Sequence, residues 1–243
     1  MSLTSADGLL AEIGDTCQGR KTVYAFLSSM YAREVTKEII AELQSRAGAL
    51  SSLEPLKELG NAKLNEGLER LGRYLKDSTG RDIEQVRLEL AVEYAGLFLS
   101  VWGTPAHPSE SAYATGGRLV MQKERDQVLA MYRSVGMDKA KDFTEPEDHI
   151  AVELQFMSFL ADETAKAAGA GDRQKVRELL DLQDVFLEKH LGSWLGHLAS
   201  DVMKQGRVDF YRGISLIADG FVEEDRKVIK EFLAELPPAS KSK

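Results

Sequence analysis

Two short stretches of this 243-residue chain hold side chains that do chemistry when they are brought together. The first is Thr144-Glu145-Pro146-Glu147-Asp148-His149. Pro146 suits the first turn of a helix, and Glu147 and Asp148 there would complement the helix dipole. Thr144 and Glu147 have capping-box spacing, although Pro146 disfavours a helical Glu145 and leaves the start ambiguous. Ile150 to Leu160 then carry apolar side chains on every face, the mark of a helix buried on most sides. An acidic cluster and a histidine therefore stand at the mouth of a core helix. Two readings follow. One is ordinary helix-start electrostatics with a satisfied histidine. The other is a polar site where carboxylates meet cationic groups, each shielded hydrogen bond contributing about 1.5–3 kcal/mol. With an ordinary pKa, His149 would make such a site sensitive to pH.

The second stretch is the connection 102–116 and the helix that feeds it, ending Glu93-Tyr94-Ala95-Gly96-Leu97-Phe98-Leu99-Ser100-Val101-Trp102. Pro105 and Pro108 stiffen it, and Trp102 and Tyr113 put an aromatic near each end. Such aromatics either close one end of the core or rim an apolar groove that docks a peptide's hydrophobic stretch. Connections of this length in a compact domain are often functional.

Catalytic patterns are hard to assemble. His149 and Glu153 are four residues apart and could share a metal, but HExxH is missing and no third ligand stands out. An all-α metal-dependent hydrolase is thus a distant alternative. His190 and His197 flank Trp194 two turns apart, too far for easy chelation, which leaves packing or surface roles. The chain has no nucleophile elbow, Walker loop or dinucleotide fingerprint. Its single cysteine, Cys17, excludes an internal disulfide and a CxxC motif, and it sits near an N-terminus expected to fray without an activating neighbour. No catalytic residue, metal or cofactor is assigned.

The elements that must position these residues read as helices. Ile83, Val86, Leu90, Tyr94, Leu97 and Val101 fall on one face of a 3.6-residue repeat. Helices are also expected over 19–32, 34–46, 62–77, 117–135, 146–168, 173–191, 193–205 and 208–235. Stops stand at Gly48, Pro55, Gly60, Gly80, Gly116-Gly117, Gly136 and Gly169-Ala170-Gly171. Alternating stretches with turn dipeptides are missing, so the expectation is an all-α, single compact multi-helix domain over 19–235. A partly ordered segment, 1–18, would precede it and a disordered tail, 236–243, would follow. Apolar residues at 43% support a sizeable core, and a net charge of −8 disfavours nucleic acid and anionic membrane as partners. No apolar run reaches the length of a membrane span, and Met1 to Gln18 lacks the pattern of a secretory signal, so cytoplasm is expected.

The ordered set Glu93-Tyr94-x-x-Leu97-Phe98, Pro108-x-Glu110-Ser111-x-Tyr113, Tyr132-x-x-x-Gly136, Glu145-Pro146-x-Asp148-His149-x-x-x-Glu153-Leu154-x-Phe156-Met157, Phe186-Leu187-x-x-His190-Leu191-x-x-Trp194 and Phe210-Tyr211 resembles the TorD/DmsD family of redox-enzyme maturation chaperones. The resemblance implies an all-helical cytoplasmic chaperone with no activity of its own. It would bind the twin-arginine leader and apo form of an exported molybdenum-containing reductase (a molybdoenzyme), assist cofactor insertion and prevent premature export. Carried over by motif, Asp148 and His149 belong to the client-binding site, with Glu145 and Glu147 as further partners for arginine. Leu97, Phe98, Trp102, Pro108, Glu110 and Tyr113 form its neighbouring surface. Some relatives bind guanine nucleotide weakly, but no motif here specifies it. Ser100 to Pro108 replaces the family's glycine-proline-rich stretch, and Ala112 its usual valine, which bears on the pocket's shape and the client's identity. The NarJ branch, serving a membrane-associated reductase subunit, is the alternative. Monomers and domain-swapped dimers are both compatible with long helices on short hinges.

Overall fold

The computed structural model describes residues 6–45, 53–99, 105–114, 120–140 and 142–236. The helices in chain order are α1 (Ala6–Ala32), α2 (Lys37–Gln44), α3 (Ala62–Ser78), α4 (Ile83–Phe98), the one-turn α5 (Ser111–Ala114), α6 (Lys123–Ser134), α7 (Ile150–Gly169), α8 (Arg173–Lys189), α9 (Leu191–Gln205) and α10 (Asp209–Glu235). A 3-10 turn, Glu54–Leu59, precedes α3. No β-strand occurs among the described residues, so the chain is all-α as expected.

Most helix starts follow from local chemistry. Asn61 accepts from the N–H groups of Lys63 and Leu64 at 3.0 and 3.1 Å, and Asp82 and Asp172 cap α4 and α8 in the same manner at 3.0 Å. Leu64, Leu68, Leu71 and Leu75 give α3 a buried stripe at helical spacing. The first helix differs from expectation, because it begins at Ala6 rather than near residue 19. Leu9, Leu10, Ile13 and Cys17 supply the buried face of this added length. Cys17 is accordingly a core residue rather than part of a frayed end, and burial pushes its thiol pKa up. The tail 237–243 lies outside the described residues.

The core is built on two long helix pairs, α1 against α7 and α3 against α10. Polar stitches run along the first. Ser28 Oγ donates to the Ala151 carbonyl at 2.7 Å and Ser158 Oγ to the Lys21 carbonyl at 3.0 Å. At its centre Arg20 reaches α10, donating through Nε and Nη2 to the Asp225 carboxylate and through Nη2 to Gln183 Oε1 at 2.6 Å. Tyr24 O–H adds a 2.6 Å bond to Asp225 Oδ2. Arginine and aspartate are both buried there, so losing either would strand an uncompensated charge.

The second pair packs backbone to backbone. A Cβ on Gly67 would lie 2.7 Å from the Ile217 nitrogen, and one on Gly213 would lie 2.8 Å from the Gly67 carbonyl oxygen. The start of α10 has no side-chain cap of its own. Glu93, buried on α4, supplies one by accepting from the N–H groups of Arg207 and Val208. Gly67→Ala should therefore lower unfolding stability by about 1–3 kcal/mol through overpacking. Gly96→Ala, on an α4 position with nothing within 4 Å, should raise it by about 0.5–1 kcal/mol. Urea denaturation of the two variants beside the parent protein measures both.

Candidate functional site

The two stretches singled out in the sequence meet. Ser109 and His149 form an isolated antiparallel bridge. Beside it the Ile150 N–H donates to the Pro108 carbonyl at 2.8 Å and the Glu110 N–H to the Asp148 carbonyl at 3.0 Å. The Asp148 side chain, fully buried, accepts the Ser111 N–H on Oδ2 at 2.9 Å. Asp148 thus holds the 109–111 backbone with both its main chain and its carboxyl group. The pairing keeps residues 148 and 149 extended, and α7 starts only at Ile150. Thr144 and Pro146 therefore do not begin the helix, contrary to the capping-box pattern.

His149 caps α7, its Nδ1 accepting the Ala151 N–H at 3.1 Å. Burial, with smaller contributions from His107 and Lys139, lowers its pKa to about 3. The ring stays neutral at physiological pH, so the expected pH-sensing role is not supported. Phe143 packs edge-on against it at 5.4 Å.

Behind the bridge lies a buried cluster that the sequence did not reveal. Both Glu110 carboxyl oxygens are 3.1 Å from His190 Nδ1, across a separation of 80 residues. Glu153, fully buried on α7, accepts from the Trp194 indole N–H at 3.0 Å. Burial above all, with Glu110 and Asp148 nearby, holds the Glu153 carboxyl well above the usual carboxylate range, so it keeps its proton. His190, read from sequence as a packing or surface residue, and Trp194 are the α8–α9 partners of the 108–114 and 148–153 segments. No local pattern could have paired them with Glu110 and Glu153, because the contact depends on how the helices stack.

The remaining expected site residues divide by exposure. Pro108, Glu110, Asp148 and His149 are buried in this locked block. Leu97 and Phe98 are 2% and 4% exposed, and Phe98 packs among Tyr31, Tyr94 and Tyr211. Their side chains belong to the core rather than to an open surface. Glu147 is held by Arg125 at 2.5 Å and Lys139 at 3.4 Å. Burial raises its pKa, but these cations and backbone hydrogen bonding outweigh it and keep the pKa below normal. Tyr113 is half-buried, stacked on Trp194 at 5.6 Å with its O–H donating to Asp201 at 3.2 Å. Glu145 is half-buried, and its carboxylate has no ion-pair partner among the described residues. Trp102 lies outside the described residues.

Beside this block, reached through Phe143 and Ala151, lies a cleft of about 590 Å³ between the C-terminal half of α1, residues 137–140, 142 and 143, and the start of α7. Gly136, in the left-handed region at φ 75°, ends α6 and turns the chain into that wall.

The protonated Glu153 gives a signed pH effect. Its folded pKa is raised, so its contribution to stability is full below about pH 4.5, the unfolded value, and is lost as pH rises towards the folded pKa. Glu153→Gln keeps a neutral acceptor for Trp194 and removes that loss. Its stability relative to the parent should grow above pH 4.5 by up to about 1.4 kcal/mol per pH unit. Denaturation midpoints from pH 4.5 to 8 test this, and parallel curves for the two proteins would refute it.

Sequence comparison agrees with the motif order. Residues 60–200 match the family model described as nitrate reductase delta subunit. The chaperone protein TorD of Photobacterium profundum is 31% identical over 193 residues, 79% of this chain and 85% of its own. TorD of Vibrio cholerae serotype O1 (strain M66-2) is 26% identical over 229 residues, 93% of this chain and 99% of its own. TorD of a Psychrobacter species is 27% identical over 219 residues, covering 87% and 92%. No described helix is long and apolar enough to cross a membrane. With its paired 108–111 and 148–150 segments and relatives matched along most of their length, this chain belongs to the TorD family of redox-enzyme maturation chaperones, and it is not an enzyme.

Proposed function

We propose that this protein acts in the cytoplasm as the chaperone of one exported molybdoenzyme. It binds the enzyme's twin-arginine leader and apo form, holds both while the cofactor is inserted, and then releases the leader to the exporter. The observation that carries this reading is the locking of Pro108, Glu110 and Ser111 onto Asp148 and His149. The residues of the family's most specific motif thereby become one rigid block beside an open cleft.

Burial assigns these residues a particular role within that reading. Asp148, His149 and Glu110 are buried, so they act on the client by fixing the position of the surfaces around them. Among the described members of the set, the half-buried Glu145 and Tyr113 are open for a client to touch directly. A net charge of −8 favours a cationic leader in encounter. Ordering a flexible peptide opposes binding, so affinity should be moderate and reversible, as hand-over to an exporter requires.

The NarJ-like role is the second reading, favoured by the family model's description as a nitrate reductase subunit. Calorimetric titration separates the two, using leader peptides from molybdoenzymes of the same genome beside twin-lysine versions. Saturable binding that weakens with twin lysine and with Asp148→Ala is expected. Equal binding to a reductase N-terminal segment lacking the arginine pair would favour the NarJ-like role instead. Unchanged leader binding by the Asp148→Ala, His149→Ala double variant would remove the motif from the site.

A further inference from the structure

We propose that the cleft between α1 and residues 137–140, 142 and 143 seats the client peptide, taking a basic pair at its rim and the following apolar stretch on its floor. This rests on the client-holding role proposed above and says where on the molecule it is carried out.

The floor is apolar. Ala25 and Ala32 of α1, Ala151, Val152 and Phe159 of α7, and Phe143 line it. Along its first turns α7 is buried except at Gln155, which is exposed, and Phe159, which is half-buried; both face the cleft. The core helix is left open at this place, and an apolar peptide segment lying there would remove that surface from water.

The rim selects charge. Asp138 and Asp142 are exposed at its edge, and neither has a hydrogen-bond or ion-pair partner among the described residues. Glu145, also without an ion-pair partner there, follows three residues on. Lys139 lies between them but is committed, with its Nζ 3.4 Å from Glu147 and donating to the Glu145 carbonyl. Among the described residues, Arg33 is the rim cation without a hydrogen-bond or ion-pair partner. Among the described residues the uncommitted charge is therefore mainly negative, and a guanidinium fork matches a carboxylate better than an ammonium does. A larger groove, of about 650 Å³, lies against the 3-10 turn, but its Arg20, Asp225 and Glu224 are already paired within the protein.

The cleft also links the buried motif to binding. His149 caps Ala151, which lies on the floor, and packs against Phe143, which forms the wall. Asp148 and His149 are positioning residues for the cleft on this view, and they need not touch the peptide.

The test is calorimetric titration of the full chain with synthetic leader peptides, arginine pair and apolar stretch included, from molybdoenzymes of the same genome. The parent protein is compared with Gln155→Trp, which fills the cleft from an exposed position, and with Asp138→Asn plus Asp142→Asn. Circular dichroism and melting temperature verify that each variant is folded. Gln155→Trp should weaken binding by at least about tenfold, in the range of an interface hot spot. The double asparagine variant should bind more weakly at low salt and lose much of the parent's salt dependence. Binding by the parent with parent-like affinity in both variants overturns the cleft and leaves the client-holding role intact. A parent protein that binds none of the leaders overturns the leader-binding reading, and the cleft assignment with it.

Discussion

The arrangement of the whole site depends on one buried side chain. Asp148 accepts the Ser111 N–H on its carboxyl group while its own carbonyl accepts the Glu110 N–H, so a single residue fixes a segment nearly forty positions earlier. Further main-chain ties of the 105–114 connection run from the Ala106 N–H to the Leu97 carbonyl at 3.2 Å and from the Ile150 N–H to the Pro108 carbonyl at 2.8 Å. Burial makes the clamp strong, since Ser111 N–H and the carboxyl would each lose a hydrogen-bond partner if it opened, with no water to replace it.

A second layer of polar contacts stands behind the clamp. Glu110 turns back to His190, and Glu153 takes the Trp194 indole, so α7, α8 and α9 converge on the same place. Several acidic groups in one dry volume are tolerable only if charge is kept low, and protonated Glu153 does that. A comparable buried cluster stands at the middle of α1, where the Arg20–Asp225 pair is surrounded by Tyr24 and Gln183. Both clusters tie helices distant in sequence, while the α3–α10 pair is held by close backbone approach at Gly67 and Gly213. The site is rigid because these constraints act on the elements flanking it.

A site held in this way suits the client binding proposed above. A preformed surface lowers the ordering cost on the protein's side and leaves the cost of ordering the peptide. The family motif is consistent with that division. Asp148 and His149 of the motif are buried, and the floor of the neighbouring cleft is lined by alanines, a valine and two phenylalanines.

Much of the architecture was legible in the sequence because helices are local. Leucine spacing defines α3, Asp82 and Asp172 cap their helices, and Gly136 stops α6. Motif order was enough to name the family and to single out Asp148 and His149. Tertiary structure decided what those residues do. The start of α7 moved to Ile150 because residues 148 and 149 pair with 108–110, and a sequence pattern has no view of that partner. His149 lost its pH response to burial, Glu147 was taken by Arg125 and Lys139, and Leu97 and Phe98 turned into the core. Residue types and spacing determine which hydrogen bonds and apolar faces are available. Only the packing of helices determines which of them meet, and so which are left facing water.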